Sequence, residues 1–313
     1  MPFADHLAQS PYSTPGDLAG LYAGLPADPA RLARVVRDLL IHRGEGDLFG
    51  YAIPEDRLHD DAETRYVDGI LEILAARSGA PLGKSRPPAE RFVGVCRDFA
   101  LLYCSMLRHT GTPARIRSGF ADYFGTDGFH GDHVVTEYWH AGRGRWLLAD
   151  PQLADPDITR HWNAGFDPLD VPRTRFLTAG TAWRMIREQG ADHREFGLHP
   201  PQEGPLWGER FVAGNVRLDL AALNKVETLL WDVWGLDHTD HDQDQTLDEE
   251  ARAVYDRAAA VIAGDEVPYA EARALFTGDD VLRTPETVLS LAPYHGPTRV
   301  TLRSQVSSRH CPR

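Results

Sequence analysis

The segment Cys96 to Thr110, CRDFALLYCSMLRHT, constrains the fold more than any other, because it reads as one helix and runs at once into extended chain. Phe99, Leu102, Tyr103, Met106 and Leu107 recur at helical spacing, which predicts an amphipathic helix, and Gly111 with Pro113 stops it. Three short extended segments follow: ARIRSGFADYF (114–124), HVVTEYWH (133–140) and RWLLAD (145–150). The last two are joined by AGRG, a hairpin turn. A helix leading directly into antiparallel strands predicts an α+β core with the helix packed on the sheet.

Helical patterns flank this core. Asp28-Pro29 gives an N-cap followed by proline at the first helical position, and Leu32, Val35, Val36, Leu39 and Leu40 form an apolar stripe. A second helix is expected from about Asp61 to Arg77, then a loop through GAPLGKSRPPAE. After the core, helices are expected near 174–189, 216–234, 247–263, 268–276 and 284–291. The expected division is a core with a helical N-terminal lobe over 1–160 and a mostly helical C-terminal extension over 161–313, with the Asp/Pro-rich stretch 151–172 near the boundary.

Composition removes several classes of function. Hydrophobic residues at 42% and charged residues at 25% are ordinary for a globular protein, and no apolar run approaches the ~18 residues that span a bilayer. No membrane partner is expected. The start MPFADHLAQSPYSTPG has neither a basic head nor a long apolar stretch, so the expectation is a cytoplasmic protein. A net charge of −13 disfavours nucleic acid, whose phosphates need clustered Lys and Arg. Three cysteines, at 96, 104 and 311, make no disulfide framework. Within one helix Cys96 and Cys104 would stand ~12 Å apart, beyond the ~7 Å limit for bridging.

The chemistry gathers on three residues. A thiol attacks as its thiolate, and the unpaired N–H groups of a helix start favour that anion. Cys96 stands at such a start, behind the apolar lead-in FVGV. His133 opens one strand and Asp150 ends the next, so a hairpin would bring imidazole and carboxylate within hydrogen-bond reach. That contact fixes the imidazole tautomer and turns one ring nitrogen to the thiol.

GVCRDFALLYCSMLRHTGTPARIRSGF, DHVVTEYW and GRWLLADPQL together resemble the core of the transglutaminase-like superfamily, relatives of the papain fold. The resemblance covers about residues 90–153. It implies that Cys96 attacks a carboxamide, ester or thioester carbonyl, with His133 as acid/base and Asp150 as orienter. The resulting Cys96 acyl-thioester would pass its acyl group from an amide or thioester donor to an amine. Two alternatives stand beside this: a cysteine protease or amidase with the same triad, and an inactive scaffold that binds peptide. The expected partners are an amide, peptide or acyl-thioester substrate and an amine acceptor, with oligomeric state open.

One oxyanion donor implied by the resemblance is the Cys96 backbone N–H. Papain-like proteases add an upstream glutamine and animal transglutaminases an upstream tryptophan. Here the first tryptophan is Trp139, no asparagine precedes Asn163, and the only upstream glutamine is Gln9. Tyr51, in LFGYAIPEDR, has a suitable hydroxyl. Nearby, Asp98 is read as a helix-start carboxylate, Glu137 as an ion-pair partner of Arg117 or Arg145, and Tyr138, Trp139 and Cys104 as packing. No cofactor or metal is expected: in HDQDQTLDEE, counting from Asp240, Gln245 and Ala251 fall where a calcium loop needs glycine and glutamate. Thr246 and Glu249 have capping-box spacing instead, and His130 with His133 lacks further ligands.

Overall fold

The computed structural model describes residues 3–125, 128–198, 206–236 and 246–303. The N-terminal part holds α1 (Ala4–Leu7), α2 (Pro29–Leu39), β1 (Leu40–His42), α3 (Glu55–Asp60), α4 (Val67–Arg77) and β2 (Phe92–Gly94). Helix α2 starts as its sequence predicts, with the Asp28 carboxylate accepting from Arg31 N–H at 2.9 Å and Pro29 at the first position. The helix expected from Asp61 begins at Val67 instead. Asp61 is occupied elsewhere: it accepts from both terminal nitrogens of Arg77 at 2.6 Å and from Val93 N–H at 2.8 Å. Strands β1 and β2 are parallel, with Leu40 opposite Phe92 and His42 opposite Gly94.

Strand β2 leads into α5 (Cys96–His109), the centre of the molecule. An amphipathic helix was expected, yet every residue from Cys96 to Arg108 is buried. Its polar residues are paired inside: Ser105 donates to Ser13 O, while Arg108 donates to Ala114 O at 3.0 Å and to Glu227 at 3.2 Å. Enclosure follows because the N-terminal lobe, through Ser13, and the segment after α8, through Glu227, together cover the face that sequence alone leaves to solvent.

The chain continues through β3 (Ala114–Ala121), β4 (His130–His140), β5 (Arg145–Ala149), α6 (Pro156–His161), β6 (Phe176–Thr178), α7 (Ala179–Gln189) and β7 (Phe196–Gly197). The main sheet has the order β5-β4-β3-β6, all antiparallel, and β7 adds to the first residues of β4 in parallel. Gly119 pairs with His133 in register. A Cβ at Gly119 would sit 2.1 Å from Leu177 O, so only glycine lets β6 approach the strand that faces His133.

The remaining elements are α8 (Glu209–Leu223), β8 (Asp232–Val233), α9 (Glu249–Ile262), α10 (Tyr269–Gly278), β9 (Thr287–Ala292) and β10 (Gly296–Thr301). The helix expected over 216–234 is α8, shifted towards the N-terminus and followed by Lys225 in a left-handed conformation, φ 69°. Helix α9 is capped by Asp248, which accepts from Ala251 N–H at 2.8 Å, and not by Thr246. The helix expected at 284–291 is a strand: β9 buries Val288, Ser290 and Ala292 alternately and pairs with β10 and β8. Two β-branched residues at its start and that alternation outweigh the helical pattern. Residues 237–245, which include Asp240 and the first half of HDQDQTLDEE, and Cys311 lie outside the described residues. Among the described residues no helix is long and apolar enough to cross a membrane.

Candidate active site

Cys96 is the first residue of α5, and the turn that delivers it is built by Asp98. This carboxylate reaches back to Val95 N–H at 2.9 Å and takes a second bond from Arg97 at 3.0 Å. Burial pushes the Asp98 carboxyl up, and Arg97 with the Val95 amide opposes that shift. Gly94 makes the reach-back possible, since a Cβ there would lie 2.8 Å from Asp98 Oδ2. The glycine before the cysteine therefore serves close approach rather than an unusual backbone angle.

Strand pairing brings the other two residues in. Thr136 of β4 pairs with Ala149 of β5. Extending that register by one residue sets Asp150 opposite Val135, on the same face as His133. His133 Nε2 lies 2.8 Å from Asp150 Oδ2. Nδ1 is left for the thiol, and the Cys96 side chain hydrogen-bonds the ring. Desolvation alone would push the imidazole pKa down. The Asp150 carboxylate, by charge and hydrogen bond, and Cys96 overcome this and raise it. All three are nearly sealed from solvent, with Cys96 6%, His133 2% and Asp150 1% exposed.

Several contributors were not foreseen from sequence. Tyr123 donates its hydroxyl to Asp150 Oδ2 at 2.9 Å, and Gln152 N–H donates to Asp150 Oδ1 at 3.0 Å. The carboxylate thus accepts three bonds and has a fixed plane. Burial first and the Asp150 charge second push the Tyr123 hydroxyl well above its ordinary pKa, so it stays a donor. Tyr123, Phe124 and Phe176 set their rings edge-on to His133, with centroids at 5.8, 4.8 and 6.3 Å. Strand alternation past Ala121 is the sequence signal that could have placed Tyr123 on this face.

The secondary expectations divide. Tyr51 keeps its hydroxyl as acceptor for Arg57 at 2.6 Å, and among the described residues no hydrogen bond joins it to Cys96. Glu137 pairs with Arg115 at 2.6 Å, Arg117 at 3.2 Å and Arg173 at 2.5 Å, whereas Arg145 goes to Asp170. Trp139 packs on Phe3 and Trp146, and Tyr138 donates to Leu169 O at 3.2 Å. Cys104 is fully buried, which pushes its thiol up to about 11. His130 stacks on Phe196 at 4.8 Å.

Residues 66–151 match the family model described as Transglutaminase-like superfamily, a span that runs from the residue before α4 to the residue after Asp150. No curated protein matches this sequence. A solved structure described as a "Putative Cysteine Protease from Cytophaga hutchinsonii" is similar at 18% identity and a TM-score of 0.32, over 50% of this chain and 43% of that one. The chain thus spans less than half the length of that structure.

Proposed function

Starting from a transglutaminase-like core over residues 66–151, we propose that this protein transfers acyl groups through a thioester on Cys96, from an amide or thioester donor to an amine. One observation carries the reading: a cysteine at the first position of a buried helix, hydrogen-bonded to an imidazole whose other nitrogen lies 2.8 Å from a fixed carboxylate.

The steps follow from those contacts. His133 takes the Cys96 proton at Nδ1 and shares its Nε2–H with Asp150, so the ion pair of thiolate and imidazolium is stabilised from both sides. The thiolate attacks the donor carbonyl carbon. As the tetrahedral intermediate collapses, His133 gives its proton to the leaving nitrogen or sulfur, and the acyl group remains on Cys96. An amine then attacks the thioester carbonyl, His133 removes the amine proton, and Cys96 leaves as thiolate. The Cys96 backbone N–H at the helix start is one donor to the oxyanion in both halves.

Water at the same carbon would give hydrolysis. The aromatic enclosure of His133 and the low exposure of all three residues support transfer, because a transferase must hold water off its thioester. The test is to load Cys96 with an acyl group, verify the added mass, and follow its loss under rising concentrations of primary amines. Amide product that grows with amine supports transfer; loss that ignores every amine and gives only free acid supports a protease or amidase.

A further inference from the structure

Attack on a carbonyl by Cys96 places negative charge on its oxygen, and the Cys96 backbone supplies a single N–H there. A second donor beside the start of α5 would share that charge. The parallel pair β1 and β2 brings one: His42 lies opposite Gly94, two residues ahead of Cys96. The following peptide is held to the same place, with Arg43 N–H donating to Gly94 O at 2.9 Å.

The turn that carries His42 is also fastened to the far side of the site. Glu45 accepts from His42 N–H at 3.2 Å, pairs with Arg37 at 2.8 Å, and accepts from Gln152 Nε2 at 3.0 Å. Gln152 is the residue whose backbone N–H holds Asp150 Oδ1. One short turn therefore spans from the nucleophile strand to the orienting carboxylate.

The ring has a defined tautomer. Its Nδ1 accepts from Gly44 N–H at 3.1 Å, so the neutral imidazole carries its proton on Nε2. Among the described residues no hydrogen bond occupies that nitrogen. Desolvation, with Arg43, His133 and Arg37 adding repulsion against the attraction of Glu45, pushes the pKa down to about 4. His42 is thus a neutral donor that does not compete for the proton His133 moves.

We infer that His42 is a catalytic residue whose Nε2–H is the second donor to the oxyanion formed at Cys96. This rests on Cys96 acting as nucleophile. Tyr51, the sequence-based candidate for the position, has its hydroxyl engaged by Arg57.

Two reactions of the same thiol separate the role from a structural one. Alkylation by iodoacetamide is a displacement at saturated carbon and forms no oxyanion. Acylation by p-nitrophenyl acetate does: the C–S bond forms, the ester C–O bond breaks, and p-nitrophenolate leaves as acetyl remains on Cys96. Both are followed by intact mass, with Cys96→Ala as blank. His42→Ala should slow acylation by about 10²–10³-fold while alkylation stays within about twofold, and His42→Gln, which retains an N–H donor, should recover part of the loss. Unchanged acylation in His42→Ala, or an equal fall in both reactions, overturns the assignment. Wild-type Cys96 that is alkylated but never acylated sinks the nucleophile reading itself and needs no variant to be seen.

Discussion

Replacing Asp150 by Asn tests the orienting contact at nearly constant volume, and the structure dictates how the amide must settle. Three donors converge on the carboxylate: His133 Nε2 and Tyr123 Oη on Oδ2, and Gln152 N–H on Oδ1. An amide offers one oxygen only. With its NH2 towards Gln152 it would oppose two N–H groups inside the protein, a conflict of about 1–3 kcal/mol for the unsatisfied donor. With its oxygen towards Gln152 the NH2 faces His133 and Tyr123, and both can adapt, because a hydroxyl accepts as well as donates and imidazole has a second tautomer. The second arrangement wins. It keeps the fold but puts the imidazole proton on Nδ1, against the thiol it should deprotonate. Acylation of Cys96 in Asp150→Asn should fall about 10⁴-fold, the size of the effect when a triad carboxylate is neutralised elsewhere, with near-native circular dichroism. There is also a pH signature. The raised His133 pKa contributes stability that is complete below the ordinary value of about 6.5 and is lost as pH rises through about 10. Denaturant unfolding from pH 6 to 10 should show this decline in wild type and a weaker one in Asp150→Asn. A folded variant that acylates within tenfold of wild type, with the same decline, would refute the orienting role.

Other expectations concern the scaffold and its thiols. Gly119→Ala forces a methyl against Leu177 O, and urea unfolding should register a loss of about 1–3 kcal/mol; a loss near zero would mean β6 moves freely. Glu137, whose desolvation is outweighed by Arg115, Arg117 and Arg173, is held down at about 2. Its stabilisation is therefore present above the ordinary carboxylate range and lost as pH falls through that value, so Glu137→Gln should flatten the acid limb of the stability profile and cost about 3–5 kcal/mol at neutral pH. Cys104, buried and pushed up to about 11, should resist iodoacetamide in the native protein at neutral pH and react only after denaturation; peptide mapping that finds it labelled alongside Cys96 would contradict its packing.

Features governed by neighbouring residues were readable in the sequence. The Asp28 cap, the stop at Gly111 and Pro113, and the hairpin joining β4 to β5 are local, and that hairpin alone predicts the meeting of His133 with Asp150. Contacts between distant segments were not readable. Strand β1 has three residues and owes its existence to β2, about fifty residues later; no periodicity of its own marks it. His42 reaches the site only through that pairing, and the Gln152 side chain joins it only through distant Glu45, so nothing beside His42 in the chain hints at its place; the bond from Gln152 N–H to Asp150 is by contrast local. The polar residues of α5 misled for the same reason, since Arg97, Ser105 and Arg108 look solvent-facing until their partners at Glu227 and Ser13 are known. Tyr123 lies within reach of the strand pattern, but an aromatic ring on a strand reads equally well as packing.

The burial of α5 from Cys96 to Arg108 bears on how the protein moves. A helix with a wetted side can exchange its amide hydrogens by local fraying, whereas one enclosed by other elements from Cys96 to Arg108 exchanges only when those elements open together. The proposed nucleophile, Cys96, therefore rides on what should be the slowest-exchanging segment of the chain. Access for the proposed acyl donor therefore has to come from the elements around α5 opening, and not from α5 itself.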